Sequence, residues 1–380
     1  MSEMTTPEPM RIDISGHDLA DLHHRLRHAR LPEFSAAEDW SRGVPLSYLK
    51  YVTAYWLDKF DWRAQERMLN AYNHFKCEID GQAIHFLHVK SSRDDATPLL
   101  ITHGWPGSFL EYMTVIKPLA EPENEGDPAF SLVIPSLPGF GFSTPLRQVG
   151  WDHERIARTW ARLMAGLGYT RYGVQGGDTG YKVSPLVPSF APGAVIGVHV
   201  NGGLEPIGED ELSTGDWSEA ELERVEFGRK LGENALGYSA IQETRPNTIG
   251  FSLVDSPIGL LAWIIDKFRD WTDPQKPLPD DAVSLDHLLT NVCLYWFTRT
   301  GFSSAQLYFE SRQSPEIKRR TRTPTGVAVF PSDLSIRRIM ERSNRIVHWS
   351  EFDRGGHFAA MEAPDLYAQD VRKFFSSLGE

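Results

Sequence analysis

Five short apolar runs, "IHFLHV" (84–89), "PLLITHG" (98–104), "SLVIPS" (131–136), "YGVQGG" (172–177) and "AVIGVHV" (194–200), dominate the first half of the chain, bounded by Gly, Ser or Pro. Runs of this length and composition read as buried strands. Between the third and fourth lies "HERIARTWARLMAGLGY", in which Ile156, Trp160, Leu163, Met164 and Leu167 follow helical spacing. Strand, helix and strand in alternation predict a parallel sheet wound by helices, an α/β fold.

The alternation then breaks and resumes. Residues 204 to 310 open acidic and become rich in Trp, Tyr and Leu at helix-like spacing, which predicts an inserted helical lid. Strand texture returns at "TGVAVFP" (325–331) and "IVHWSEF" (346–352), and "APDLYAQDVRKFFSSLG" (363–379) closes the chain with a helix. Ahead of the sheet, Ser15 is the expected N-cap of an amphipathic helix over 15–29 with Leu19, Leu22 and Leu26 on one face, and a second helix is expected over 47–60. The first ninety residues therefore read as an extension, not as the start of a sheet. The expected organisation is an N-terminal segment (1–90), a first part of the core (91–203), the lid (204–310) and a second part of the core (311–380).

Charge excludes several partners. Lys and Arg total 39 against 51 Asp and Glu, and the resulting −12 opposes binding to nucleic acid or anionic lipid. The two cysteines, Cys77 and Cys293, have no CxxC spacing, so neither a disulfide framework nor a zinc site is expected, and a reducing cytoplasm is the expected compartment. No residue pattern asks for a metal or a cofactor. The start "MSEMTTPEPM" lacks the order of a signal peptide, and the longest apolar run, "PIGLLAWII" (257–265), is too short to span a bilayer, so no membrane anchor is expected. A monomer and a homodimer both remain open.

The chemistry centres on "VQGGDTGYK" (174–182). Gly176 and Gly180 flank Asp178 as the small residues of a nucleophile elbow flank its serine, where a strained strand-to-helix turn leaves no room for side chains. In isolation these five residues read as a surface turn. Asp178, however, follows an expected central strand, where open α/β sheets place their ligands. Asp333 follows the strand "VAVF", and His357 in "DRGGHFAAMEAPD" follows another. Nucleophile, acid and histidine in that order are the chain order of α/β hydrolases. "THGWPGS" (102–108) also follows a strand directly, where the fold supplies a backbone amide to its oxyanion hole. Trp105 is the expected donor there, with Thr179 as the second, while His103 is expected to hydrogen-bond within the loop rather than act as a base.

With these residues in place the chain resembles the microsomal-type epoxide hydrolases of the α/β-hydrolase superfamily. The blocks "LNAYNHFKCEIDGQAIHFLHVKS", "HGWPGSFLEY", "IPSLPGFGFSTP", "GGDTG", "RPNTIGFSLVDSPIGLLAWIIDKF" and "RGGHFAAMEAPDLYAQDVRKF" match that family in order over nearly the whole chain. The resemblance implies an α/β-hydrolase fold, with a mostly parallel sheet, an inserted helical lid and an N-terminal segment that wraps the core and packs on the lid. It also implies two lid tyrosines that hold the epoxide oxygen, Tyr238 in "ALGYSAIQETRP" and Tyr308 in "SSAQLYFESR". The partners it implies are a hydrophobic epoxide, aryl-substituted among the candidates, and water. Two residues depart from the pattern. Thr179 stands where many relatives carry tryptophan, and Pro185 falls inside the expected nucleophile helix, where it removes an N–H. The rival readings are a haloalkane dehalogenase with the same Asp-His-Asp triad and a catalytically silent ligand-binding member of the fold.

Overall fold

The computed structural model describes residues 4–203, 212, 215–314 and 322–379. Most of the acidic opening of the expected lid, 204–211 and 213–214, and residues 315–321 lie outside the described residues.

The N-terminal ninety residues correct one expectation, because they begin the sheet. Strand β1 (Glu8–Met10) pairs with β2 (His74–Ile79), β2 with β3 (Gln82–Val89) and β3 with the main sheet, each pair antiparallel. The overlooked signal is Asp80-Gly81, where both residues have positive φ (53° and 77°). A two-residue turn of that kind matches the twist of paired strands and forces a hairpin. Helices α1 (Gly16–Arg27), α2 (Leu46–Asp58) and α3 (Trp62–Leu69) lie between β1 and β2. The Ser15 side chain accepts from the Asp18 N–H at the start of α1, and Leu22 and Leu26 are buried, as the spacing requires.

Past β3 the strands fall where the apolar runs predict. They are β4 (Thr97–Thr102), β5 (Phe130–Pro135), β6 (Tyr172–Gly177), β7 (Val195–Asn201), β8 (Pro324–Val329) and β9 (Arg345–Glu351). The order across the sheet is β1-β2-β3-β5-β4-β6-β7-β8-β9, and every neighbouring pair from β5 to β9 is parallel. Helices α4 (Met113–Ala120), α5 (His153–Gly166) and the short α6 (Thr179–Val183) supply the crossovers between β4 and β7. Every residue of β6 is buried, so its C-terminal end opens at the middle of the molecule.

Between β7 and β8 run α7 (Glu219–Asn234), α8 (Gly237–Thr244), α9 (Pro246–Asp255), α10 (Pro257–Trp271), α11 (Pro279–Ala282), α12 (Leu285–Thr298) and α13 (Thr300–Gln313). Among the described residues this insertion contains no strand, and no single helix of the protein is long and apolar enough to cross a membrane. The N-terminal helices grip it. Arg25 pairs with Asp255 at 3.1 Å, the Tyr48 and Tyr55 hydroxyls donate to Asp280 (2.6 Å) and Asp286 (2.9 Å), and Trp62 packs edge-on against Phe297. Helices α14 (Arg337–Met340), α15 (Ala359–Glu362) and α16 (Pro364–Ser376) complete the chain.

Helix α16 is fastened to the sheet by a buried carboxylate. Asp370 lies 2.9 Å from His199 on β7 and 2.8 Å from His348 on β9. Burial pushes its carboxyl up, but the hydrogen bonds from both histidines outweigh that and hold it well below the ordinary range. Asp370→Asn should lower unfolding free energy at neutral pH by about 3 kcal/mol, the scale of charge-assisted hydrogen bonds lost in a buried site. Because the folded carboxyl is the more acidic, this contribution is complete above the unfolded value of about 3.9 and fades as pH falls toward the folded one. Denaturant titrations at neutral pH and at about pH 3 should show the gap between parent and variant narrowing with acid.

Candidate active site

The turn after β6 is crowded enough to dictate its sequence. Asp178 has φ 52° and ψ −115°, a conformation that costs a non-glycine residue on the order of 1–3 kcal/mol. A Cβ on Gly180 would sit 2.1 Å from the Thr102 carbonyl oxygen of β4, and one on Gly176 would sit 2.6 Å from the Gly180 backbone. Helix α6 then lasts only to Val183. The chain continues as a 3₁₀ turn over Ser184–Ser189, since Pro185 cannot donate to an α-helical ladder.

The expected triad meets here in part. His357, on the loop after β9, places Nε2 3.2 Å from Asp178 Oδ2, with side-chain exposures of 8% and 16%. This is an ion-pair contact rather than a well-aligned hydrogen bond. Burial pushes Asp178 up, but His357 and the amides of Trp105 and Thr179 more than offset it, and its carboxyl stays below the usual range. Burial likewise pushes His357 down, and Asp178, Asp333 and Glu362 more than offset it, so its imidazole holds a proton more firmly than usual. The carboxylate of Asp333 accepts from the backbone amides of Gly202 (2.6 Å) and Ser335 (2.7 Å). It acts on His357 through charge.

Both expected oxyanion donors bear on the same carboxylate. The Trp105 N–H donates to Asp178 Oδ1 at 2.9 Å, the Thr179 amide reaches the carboxylate as well, and the Thr179 hydroxyl donates to Oδ1 at 3.1 Å. His103 is buried in the loop, bonded through Nδ1 to the Gly104 carbonyl and through Nε2 to the Leu137 N–H, and burial pushes it down to about 4. Its place is structural.

Opposite Asp178, across a cavity of about 360 Å³, stand the two lid tyrosines. Tyr238 of α8 and Tyr308 of α13 have hydroxyl oxygens 3.5 Å apart, close enough to share one acceptor. Tyr238 stacks on Trp105 with centroids 4.8 Å apart and 4° between planes, and Trp105 also meets the edge of Tyr308 at 5.7 Å. Burial raises both phenols above their ordinary range, so they remain protonated donors at neutral pH.

Comparison with known proteins gives the family. The family model for the epoxide hydrolase N terminus matches residues 7–112, and the model for the alpha/beta hydrolase fold matches residues 97–198. Epoxide hydrolase 1 of Sus scrofa is 36% identical, over 97% of this chain and 88% of its own. The solved juvenile hormone epoxide hydrolase of the silkworm Bombyx mori superposes with TM-score 0.91 at 31% identity, covering 99% of this chain and 95% of that one. The epoxide hydrolase of Aspergillus niger does so with TM-score 0.88 at 33% identity, covering 98% and 97%. The chain belongs to the epoxide hydrolase family.

For a member of that family the site contains several residues that the sequence analysis passed over. Tyr295 of α12, the third lid tyrosine, donates to the Gly107 carbonyl at 2.8 Å, and Asn291 donates to the Pro106 carbonyl at 2.7 Å, so the lid clamps the "HGWPGS" loop. Trp271, at the end of α10, lies between Tyr238 (5.4 Å) and His357 (5.1 Å). Glu111 is buried beneath the loop, where burial and the charge of Asp178 raise its carboxyl well above the usual range. Tyr295, Asn291 and Trp271 act through contacts with distant chain that no local motif marks, whereas Glu111 lies within the block "HGWPGSFLEY". Thr179 lines the cavity and presents its amide to Asp178.

The crowding at the elbow yields a direct test. Gly180→Ala should cost about 3 kcal/mol or more, since neither β4 nor the elbow can yield without moving the other, and diol formation should fall with it. Parent-like unfolding and turnover in this variant would show that the turn relaxes freely.

Proposed function

We propose that the protein adds water to a hydrophobic epoxide through a covalent ester on Asp178. The observation that supports this most is the placement of an ionised carboxylate facing two protonated phenols across one cavity. A carboxylate oxygen attacks a ring carbon, the C–O bond of the epoxide breaks, and the oxygen takes a proton from the Tyr238 and Tyr308 pair. An alkoxide is a poor leaving group unless it is hydrogen-bonded or protonated, and two neutral phenols meet that need without an added charge.

The ester contains the carbonyl needed for its own removal. Once Asp178 is alkylated its negative charge is gone, and with it the largest influence holding the proton on His357. The freed imidazole, still under the charge of Asp333, takes a proton from water as the oxygen adds to the ester carbonyl. The amides of Trp105 and Thr179 then bond the oxyanion. Collapse breaks the bond between the carbonyl carbon and the alkyl oxygen, which takes the second proton of the water as the diol leaves. Asp178 keeps the oxygen of water, His357 keeps the first proton, and the proton that His357 gave up on alkylation has restored the phenol of the tyrosine pair.

The insertion over 204–310 serves as lid on the core segments 91–203 and 311–380, and residues 1–90 brace it. Cys77 and Cys293 are buried free thiols, in keeping with a reducing cytoplasm as the place of work. The tyrosine pair favours an epoxide over a haloalkane, since halide release calls for N–H donors rather than proton transfer to oxygen.

Asp178→Ala should abolish diol formation, because no other group can form the ester. His357→Gln should still open the epoxide and stall at the alkyl-enzyme, seen by mass spectrometry as added mass on the peptide containing Asp178. Absence of an adduct despite demonstrated binding would point to direct attack by water. Tyr238→Phe and Tyr308→Phe should each slow single-turnover alkylation by roughly ten- to a thousand-fold, about 1.4–4 kcal/mol of lost transition-state stabilisation, and the double variant should be nearly inactive. Parent-rate alkylation in both, with efficient haloalkane turnover, would establish the dehalogenase instead. In the parent enzyme, decay of the ester should speed up as pH rises and His357 loses its proton.

A further inference from the structure

His357 stands under the influence of a carboxyl that the mechanism above does not use. Glu362, at the end of α15 and five residues past the histidine, is partly buried and accepts at both oxygens from backbone amides. Oε1 takes the Phe358 N–H at 3.0 Å, and Oε2 takes the Asp273 N–H at 2.7 Å. The first of these amides follows His357 directly. The second belongs to the segment that leaves the lid helix ending at Trp271.

The bond is answered from the other side. Asp273, only 5% exposed, accepts from the Gly355 N–H at 3.0 Å through Oδ2, while Oδ1 accepts from the Gln275 N–H at 2.9 Å. The Trp271 carbonyl accepts from the His357 N–H at 2.9 Å and from the Ser332 hydroxyl at 2.8 Å. A Cβ on Gly356 would lie 2.6 Å from the Asp273 nitrogen, so the two segments touch backbone to backbone. The histidine loop is thus tied to the lid at 355 through the Asp273 carboxylate, at 357 through the Trp271 carbonyl, and at 358 through Glu362, whose carboxylate bridges the amides of Phe358 and Asp273. Its only tie to Asp178 is the 3.2 Å contact that alkylation removes.

We propose that Glu362, together with Asp273, is a positioning residue for the second half of the reaction. It holds His357 in place, and electrostatically inclined to accept a proton, after Asp178 has been alkylated. The inference rests on the ester mechanism above. In the resting enzyme Asp178 contacts the imidazole directly and Glu362 adds to its effect. In the alkyl-enzyme the loop must keep its place without that partner, and the remaining anionic charge on the ring comes from Asp333 and Glu362. Burial brings the Glu362 carboxyl up to about 7 against the pull of its two amides and of His357, so its ionisation is sensitive to the histidine beside it.

The test separates the two chemical steps in the full chain. In Glu362→Gln, whose side chain has one acceptor where the parent has two, appearance of the alkyl-enzyme should stay within about threefold of parent while its decay slows by about tenfold or more. The ester should therefore accumulate during steady turnover. Asp273→Asn, which breaks the tie from the lid side, should give the same imbalance and serves if the first variant folds poorly. Asp370→Asn weakens the fold away from the site and should leave the ratio of the two rates unchanged. Equal slowing of both steps in Glu362→Gln, or parent-rate decay of the ester, would overturn the assignment. If His357→Gln also shows no adduct while diol still forms, the fault lies in the ester mechanism, and the positioning role falls with it.

Discussion

A carboxylate held out of water on a strained turn is the constraint around which this molecule is arranged. Asp178 keeps a positive φ only because β4 and the backbone at Gly176 and Gly180 leave the chain no alternative path. Its charge survives burial only because His357 and the amides of Trp105 and Thr179 compensate for lost hydration. Each compensating group comes from a different segment. The elbow therefore requires that β4, β6 and the loop after β9 be assembled first, with the parallel sheet as the frame that registers them.

In the mechanism we propose, the same compensation gives the site its order of events. While Asp178 is anionic it strengthens the imidazole's hold on a proton, and a protonated imidazole cannot deprotonate water. Loss of one charge in the first step thus removes the obstacle to the second. The phenols belong to the first step by the same reasoning, because burial keeps them neutral donors facing a carboxylate.

Rigidity of the lid is the second requirement, and the N-terminal segment supplies it from outside the core. Tyr48 and Tyr55 reach Asp280 and Asp286 on the insertion, while Tyr295 and Asn291 carry the constraint inward to the carbonyls of Gly107 and Pro106 beside Trp105. Trp105 in turn stacks on Tyr238. The donors for epoxide oxygen and the amide for the oxyanion are therefore set by one continuous chain of contacts. It runs from the amino-terminal helices to the elbow.

Much of this was legible in the residues. Short apolar runs marked the seven strands from β3 to β9, antiparallel β3 and the less buried β9 included, and a nucleophile elbow needs glycines at fixed spacing, so Asp178 was marked too. The antiparallel edge was less legible, because β1 and β2 are separated by three helices and the one local sign of the hairpin from β2 to β3 is the left-handed Asp80-Gly81 turn. What the sequence by itself determined was the set of residue types, their order and the places where the backbone must bend. Only the tertiary structure decided that Asp333 spends its hydrogen bonds on Gly202 and Ser335, that Tyr295 anchors a loop while Tyr238 and Tyr308 face the cavity, and that Glu362 ties the histidine loop to the lid. Those facts depend on which distant groups come within about 3 Å, and a hydrogen bond leaves no periodicity in the chain that makes it.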